Sequence, residues 1–326
     1  MPIKLTDLVE RVPADVEDRV KRVRDRSRSV LQEALRAECR LVMRPHTETE
    51  NREPGAQVQV EILPGHPAVL NNIEFSDELE RILLLGRYRA SLEQTVSGVR
   101  GLIGLRKELF ERSDGAKWAP VKESDLQAVL SWADSLLRDL KAHDPVKTVL
   151  AIQEDFLGVY QYQIGTLFED EYAANRASIR LYWGVIGLVA ELMGVSVEDL
   201  AVVVLTHELA HAYTQLGADI EGRRWPAQCF AQAESALKEG LAQYYTDRVL
   251  RRLESRFAGA LKVYEQLLQG QPDAYRTHLP WLDGHSPEPV RLAMLEVRRW
   301  REKTLKSFNE RLAKAEATLN AARGEG

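Results

Sequence analysis

Residues 207–211 read His-Glu-Leu-Ala-His. On an α-helix, side chains four apart point the same way, about 6 Å from one another, so His207 and His211 can aim their imidazoles at one point. Two imidazoles so spaced suit one tetrahedral Zn²⁺, whose bonds to histidine nitrogen are about 2.0–2.1 Å long. Glu208 is rotated about 100° from His207 but only about 60° from His211. It can lean over the open side of such an ion, where a water would sit, without binding the ion itself. The chemistry this predicts is hydrolysis. An ion there lowers the water's pKa to about 7, and Glu208 takes its proton and hands it to the leaving amine.

Composition alone would produce HExxH in this chain about 0.015 times, so chance is a poor explanation. The surrounding sequence predicts a helix over 196–216, opened by Ser196 with Asp199 as a cap. Val202, Val203, Val204 and Leu205 in its preceding turns are apolar enough to be core. A buried helix tolerates two histidines and a carboxylate poorly unless those groups have partners, and a metal ion supplies one.

On these residues the chain resembles the zincin metallopeptidases. The metzincin extension would need glycine at 214 and histidine at 217; the chain has Thr214 and Gly217. Gluzincins take a third ligand from a glutamate on a later helix, and the segment Glu239-Gly-Leu-Ala-Gln-Tyr-Tyr is similar to theirs. The resemblance therefore implies Zn²⁺ held by His207, His211 and Glu239, with Glu208 as general base. Gly240 and Ala242 are expected to allow close packing on the HExxH helix. Between His211 and Glu239 lie 27 residues, including the expected loop GADIEGRRWPAQCF. Asp219, Glu221 and Glu234 compete for the third position; Glu234 is expected on the same helix as Glu239, paired with Lys238 on its outer face.

Zincins also present a tyrosine or histidine to the oxyanion of the tetrahedral intermediate. Tyr244, Tyr245, Tyr275, His278 and His285 are candidates, and the resemblance favours His278, downstream of the glutamate. Asp247 is a candidate to orient a ligand histidine. The family usually binds an extended peptide along a sheet edge, so the implied partner is a peptide or protein substrate. An alternative reading is a catalytically silent binding or regulatory protein that keeps the same fold.

These residues must be positioned by the rest of the chain, 326 residues with 44 % hydrophobic and 29 % charged side chains. The expected fold is α+β and predominantly helical: a zincin-like core with a small sheet ahead of the HExxH helix, plus an N-terminal helical region. Strands are expected near 58–62, 155–163 and 177–183, the last two flanking an acidic turn at Glu169, Asp170 and Glu171. A helix over 184–193 should close at Gly194. Other helices are expected over 15–43, from a Ser76 cap to 112, over 124–142, after Pro145, and over 228–256, 257–269 and 288–322. The proline- and glycine-punctuated stretch 44–75 reads as a linker. This suggests divisions at 1–75, 76–150, 151–285 and 286–326.

Charge and cysteines narrow the function classes. A net charge of −5 gives no chain-wide attraction to nucleic acid. Arg19 to Arg28 form a basic run, read as a solvated helix face offset by nearby acids rather than a nucleic-acid patch. Cys39 and Cys229 are too few for a disulfide framework. The longest uncharged apolar run, Leu181 to Ala190, is about half the twenty residues a bilayer needs. The first twenty residues carry charge throughout and lack a signal-like apolar run, so the expected location is cytoplasmic.

Overall fold

The computed structural model describes residues 3–43, 58–75, 89–112, 122–142, 149–150, 156–162 and 177–324. The Ser76 cap, the Pro145 helix start, the 169–171 turn and linker residues 44–57 lie outside them. The described elements are β1 (Ile3–Lys4), α1 (Leu5–Glu10), α2 (Asp15–Cys39), β2 (Gln59–Leu63), a 3₁₀ turn (Ala68–Asn72), β3 (Glu74–Phe75), α3 (Arg89–Arg112) and α4 (Glu123–Ala142). Then follow β4 (Gly158–Gln161), β5 (Ser178–Tyr182), α5 (Trp183–Met193), α6 (Val197–Leu216), α7 (Ala227–Gln232) and α8 (Ser235–Arg252). The last are α9 (Ala258–Gly270), α10 (Asp273–Arg276), α11 (Leu279–Gly284), α12 (Pro287–Trp300) and α13 (Leu305–Gly324). The fold is α+β and predominantly helical.

A three-stranded sheet is ordered β2-β5-β4, with β5 parallel to β2 and antiparallel to β4. Alternation sets its faces: Ile179 and Leu181 of β5 are buried, while Arg180 points away and pairs with Glu61 across the strands at 3.3 Å. α5 follows without a loop and ends at Gly194, whose φ of 67° suits glycine and whose N–H caps the Ala190 and Glu191 carbonyls. The next residues start α6, with the Ser196 hydroxyl accepting the Asp199 N–H at 3.2 Å.

α6 is buried on almost every side. It is packed by α2, α5, α8, α9 and the strands β4 and β5. Such a helix has no solvent face on which to place a polar group, which makes its two histidines and one glutamate costly unless they converge on something.

The expected divisions do not separate cores. Leu5, Val9, Leu31 and Leu35 of the first two helices join the same apolar core as Leu205, Leu241, Met294 and Phe308. Part of the basic run joins that packing: Arg19 forms a two-pronged pair with Glu198 at 2.7 Å per bond and Arg28 donates to the Val58 carbonyl at 2.7 Å, while Arg22 and Arg26 are exposed and Lys21 and Arg24 pair with Glu17 and Asp25 on the helix surface. α3 and α4 pair with each other around a small separate cluster of Val96, Ala133, Leu137 and Leu140. No helix among the described residues is long and apolar enough to cross a membrane.

Two expected helices are each broken in two. The 228–256 segment kinks out of helix at Ala233 and Glu234, and the 288–322 segment breaks at Arg301, a non-glycine residue at φ 56°. The breaks bind each other: the Glu234 N–H donates to the Lys303 carbonyl at 2.8 Å, and the Leu305 N–H donates to the Glu234 carboxylate at 2.7 Å. Glu234 thus stands at the N-cap position of α8 while its carboxylate ties that helix to the start of α13, where the sequence suggested a pair with Lys238. Gly240 also faces elsewhere than expected, toward Trp281 and Thr277 rather than α6.

Candidate metal centre

Three side chains converge between α6 and α8. The Nε2 atoms of His207 and His211 are 3.1 Å apart, and each lies 3.2 Å from Oε2 of Glu239. Ligands about 2.0–2.1 Å from a tetrahedral ion sit about 3.3–3.4 Å from one another, so this near-equilateral triangle is one face of such a tetrahedron. His207, Glu208, His211 and Glu239 are 7, 1, 4 and 6 % exposed. Among the described residues this is the group of histidine, cysteine and acid side chains whose atoms come close enough to hold a metal ion. Two imidazoles and one carboxylate leave a fourth tetrahedral position open.

Electrostatics reinforce the arrangement. Burial alone would push the Glu239 carboxyl up, but His211 and His207 beside it outweigh that and hold it well below the usual carboxylate range.

The sheet positions the opposite side. Residues two apart on a strand face the same way, and Gly158 and Tyr160 of β4 both face α6. The Tyr160 ring stacks on His211, with planes 7° apart and centroids 6.4 Å apart. Its hydroxyl donates to Gln215 Oε1 at 2.6 Å, so one strand residue braces two turns of α6. Gly158 lies against Glu208 and Val204. Tyr275, from α10, lies over His207 at 5.9 Å between ring centroids.

A small cavity opens beside His207 and Glu208, bordered by Gly158, Tyr275 and Gln243 among others, with a volume of about 40 Å³. Of the oxyanion candidates, Tyr275 borders it. His278 is fully buried, its Nε2 2.8 Å from the Tyr264 hydroxyl, and burial pushes its pKa down to about 4. Tyr244 and Tyr245 are packed in the core, and His285 pairs with Glu316 at 3.0 Å. Asp247 accepts from Arg251 at 2.7 Å. Asp219 accepts the backbone N–H groups of Glu221 and Arg223 in an exposed loop, and Glu221 pairs with Arg223. Gln243, one turn after Glu239, also lines the cavity, and the sequence analysis assigned it no role; its i+4 spacing from Glu239 was the available signal.

Compared with protein families, curated proteins and solved structures, the chain finds no match.

Proposed function

We propose that the chain is a zinc-dependent peptidase of gluzincin type. One observation carries this reading: the His207, His211 and Glu239 triangle, with sides of 3.1, 3.2 and 3.2 Å, built on the two histidines of an HExxH helix. Those three residues would hold the ion. When bound, zinc supplies Lewis acidity that brings a water's pKa toward about 7.

The rest of the reaction falls to side chains of the protein. Glu208, on the same helix face as the cavity, accepts a proton from the attacking water and delivers it to the departing amine nitrogen. Tyr160 holds the His211 ring in place through its stacking and its bond to Gln215. Tyr275, over His207 and on the cavity wall, is the residue best placed to meet a developing oxyanion. β4 is the end strand of its sheet among the described residues, so its outer edge offers backbone groups to an extended peptide.

The test is cleavage of a proteome-derived peptide mixture, read by mass spectrometry, with zinc-loaded protein, chelated protein and Glu208→Gln side by side. Cleavage by the loaded wild type alone supports the reading. A protein that binds zinc but cleaves nothing overturns it in favour of a silent binding protein.

A further inference from the structure

Among the described residues seven large apolar side chains are exposed, and four of them lie on the α3–α4 pair: Leu102, Leu105, Val129 and Trp132, at 55, 53, 46 and 64 %. The pair has a core of its own, Val96, Ala133, Leu137 and Leu140, and its two helices pack chiefly on each other. Arg100 meets Asp134 at 3.0 Å. Val96, four positions before Arg100, clusters with Leu137 and Leu140, which follow Asp134, so the helices run antiparallel. Leu102 and Trp132 are therefore level with each other, two positions from that ion pair, and Leu105 and Val129 are level about one turn further on.

Rotation decides which way these residues face. At 100° per residue, Leu102 and Leu105 on α3 and Val129 and Trp132 on α4 all turn to one side of the seam between the helices, and Arg100 and Asp134 turn to the other. The Arg100 side is polar, with Glu93, Ser97 and Arg138 beside it. The opposite side is an apolar face in contact with water. Gly98 and Gly101 share that face, and a Cβ on either would meet no atom of another element within 4 Å. The close approach that they allow is therefore unused within the described chain. Together the four exposed side chains leave about 400 Å² of apolar surface, the size at which a patch marks an interaction site.

We propose that this face joins two copies of the chain, whose α3 and α4 helices complete a four-helix bundle about a twofold axis parallel to them. Area fits such a partner: an ordinary interface covers about 800 Å² on each side, and roughly half of it is apolar. Charge chooses the arrangement. α3 carries five basic and three acidic residues, and α4 carries two basic and four acidic. A twofold axis parallel to the helices sets α3 of each copy over α4 of the other, opposite charge on opposite charge and antiparallel throughout. An axis across the helices would set like on like. In the favoured arrangement Leu102 faces Trp132 of the second copy, twice over, as a self-complementary contact requires. The inference goes beyond the peptidase reading and does not depend on it.

The experiment is sedimentation equilibrium on the full chain, up to about 100 µM. The wild type should reach twice its chain mass of 36.9 kDa and no more, because the contact closes on itself. Leu102→Glu and Trp132→Lys should each weaken self-association at least ~100-fold while keeping the wild-type helix content, since both side chains are exposed. An equimolar mixture of the two variants should recover dimers, through one Glu–Lys contact and one native Leu–Trp contact. A wild type that stays monomeric at the highest concentration, or one that assembles beyond two copies, overturns the proposal. So do dimers that persist undiminished in both variants, which would lie on another surface. A mixture that fails to pair overturns the placing of α3 over α4.

Discussion

A Cβ placed on Gly158 would lie 3.0 Å from both Cγ and Oε1 of Glu208 and 2.8 Å from Cγ1 of Val204. Strand and helix therefore meet at a point where one extra carbon does not fit. Gly158→Ala should cost about 1–3 kcal/mol, as overpacking usually does, and should displace Glu208. The expected signature is a lower denaturation midpoint and reduced turnover with the zinc content unchanged. Full activity at wild-type stability would show that the strand has room to shift.

The ligand triangle predicts one zinc per chain, removable by chelators. His207→Ala or His211→Ala should weaken zinc binding at least ~100-fold, since three protein ligands become two. Metal analysis of the dialysed proteins checks this. A full zinc complement in the doubly substituted protein contradicts the site.

Glu239 and Glu234 make a matched pair of controls. Glu239→Ala should weaken zinc binding at least ~10-fold. Glu234→Ala should leave zinc affinity unchanged while lowering stability by about 1 kcal/mol, because it removes the acceptor for the Leu305 N–H. Competition titration against a chelator of known affinity, with thermal melts in parallel, distinguishes the two effects. A reversed pattern would mean that α8 does not present Glu239 to the metal.

Glu208→Gln should retain both fold and zinc and lose ~10²–10⁴ in turnover, because an amide cannot take the water's proton. The measurement is steady-state cleavage of any peptide found in the mixture experiment, at equal zinc loading. Undiminished cleavage removes Glu208 from the mechanism.

Acid should loosen the attachment of α2 to α6. The bond from Arg19 holds the Glu198 carboxyl down to about 2, against an unfolded value near 4.5. A depressed carboxylate adds stability that is complete above the unfolded value and lost as pH falls through the folded one. The pair is only part-buried, so solvent screens it and the effect is small. Glu198→Gln should melt about 1–2 °C below wild type at pH 6, and the gap should close between pH 4.5 and 2. A gap that persists at pH 2 would place the contribution elsewhere.

What was legible in the sequence is what local rules decide. Ser196 as a cap, Gly194 as a helix terminator and the four-residue spacing of His207 and His211 each depend on neighbours within about one turn, and each is found as read. The two helix breaks were illegible because each is held by the other, 69 or more residues away in the chain: Glu234 bonds to Lys303 and Leu305. Arg301 gave no warning, since its left-handed backbone is not a glycine's. Within the basic run, the solvated face offset by nearby acids was legible, and the long-range role of Arg19 was not, for a similar reason. Its key partner, Glu198, belongs to the helix that carries the histidines.

The packing of α2 on α6 also has a consequence for the order in which the protein can be assembled. Arg19 meets Glu198 across 179 positions, and the Tyr213 hydroxyl reaches the Gln32 carbonyl across 181. At about 5–20 residues per second, a ribosome finishes the second partner about 10–40 s after the first. Throughout that interval Val16, Val20, Leu31 and Leu35 lack the surface that buries them in the finished fold. Folding therefore cannot proceed from the N-terminus by completing one unit at a time. The second helix waits for the sixth, and the cluster of His207, His211 and Glu239 closes last, when Glu239 emerges behind the two histidines.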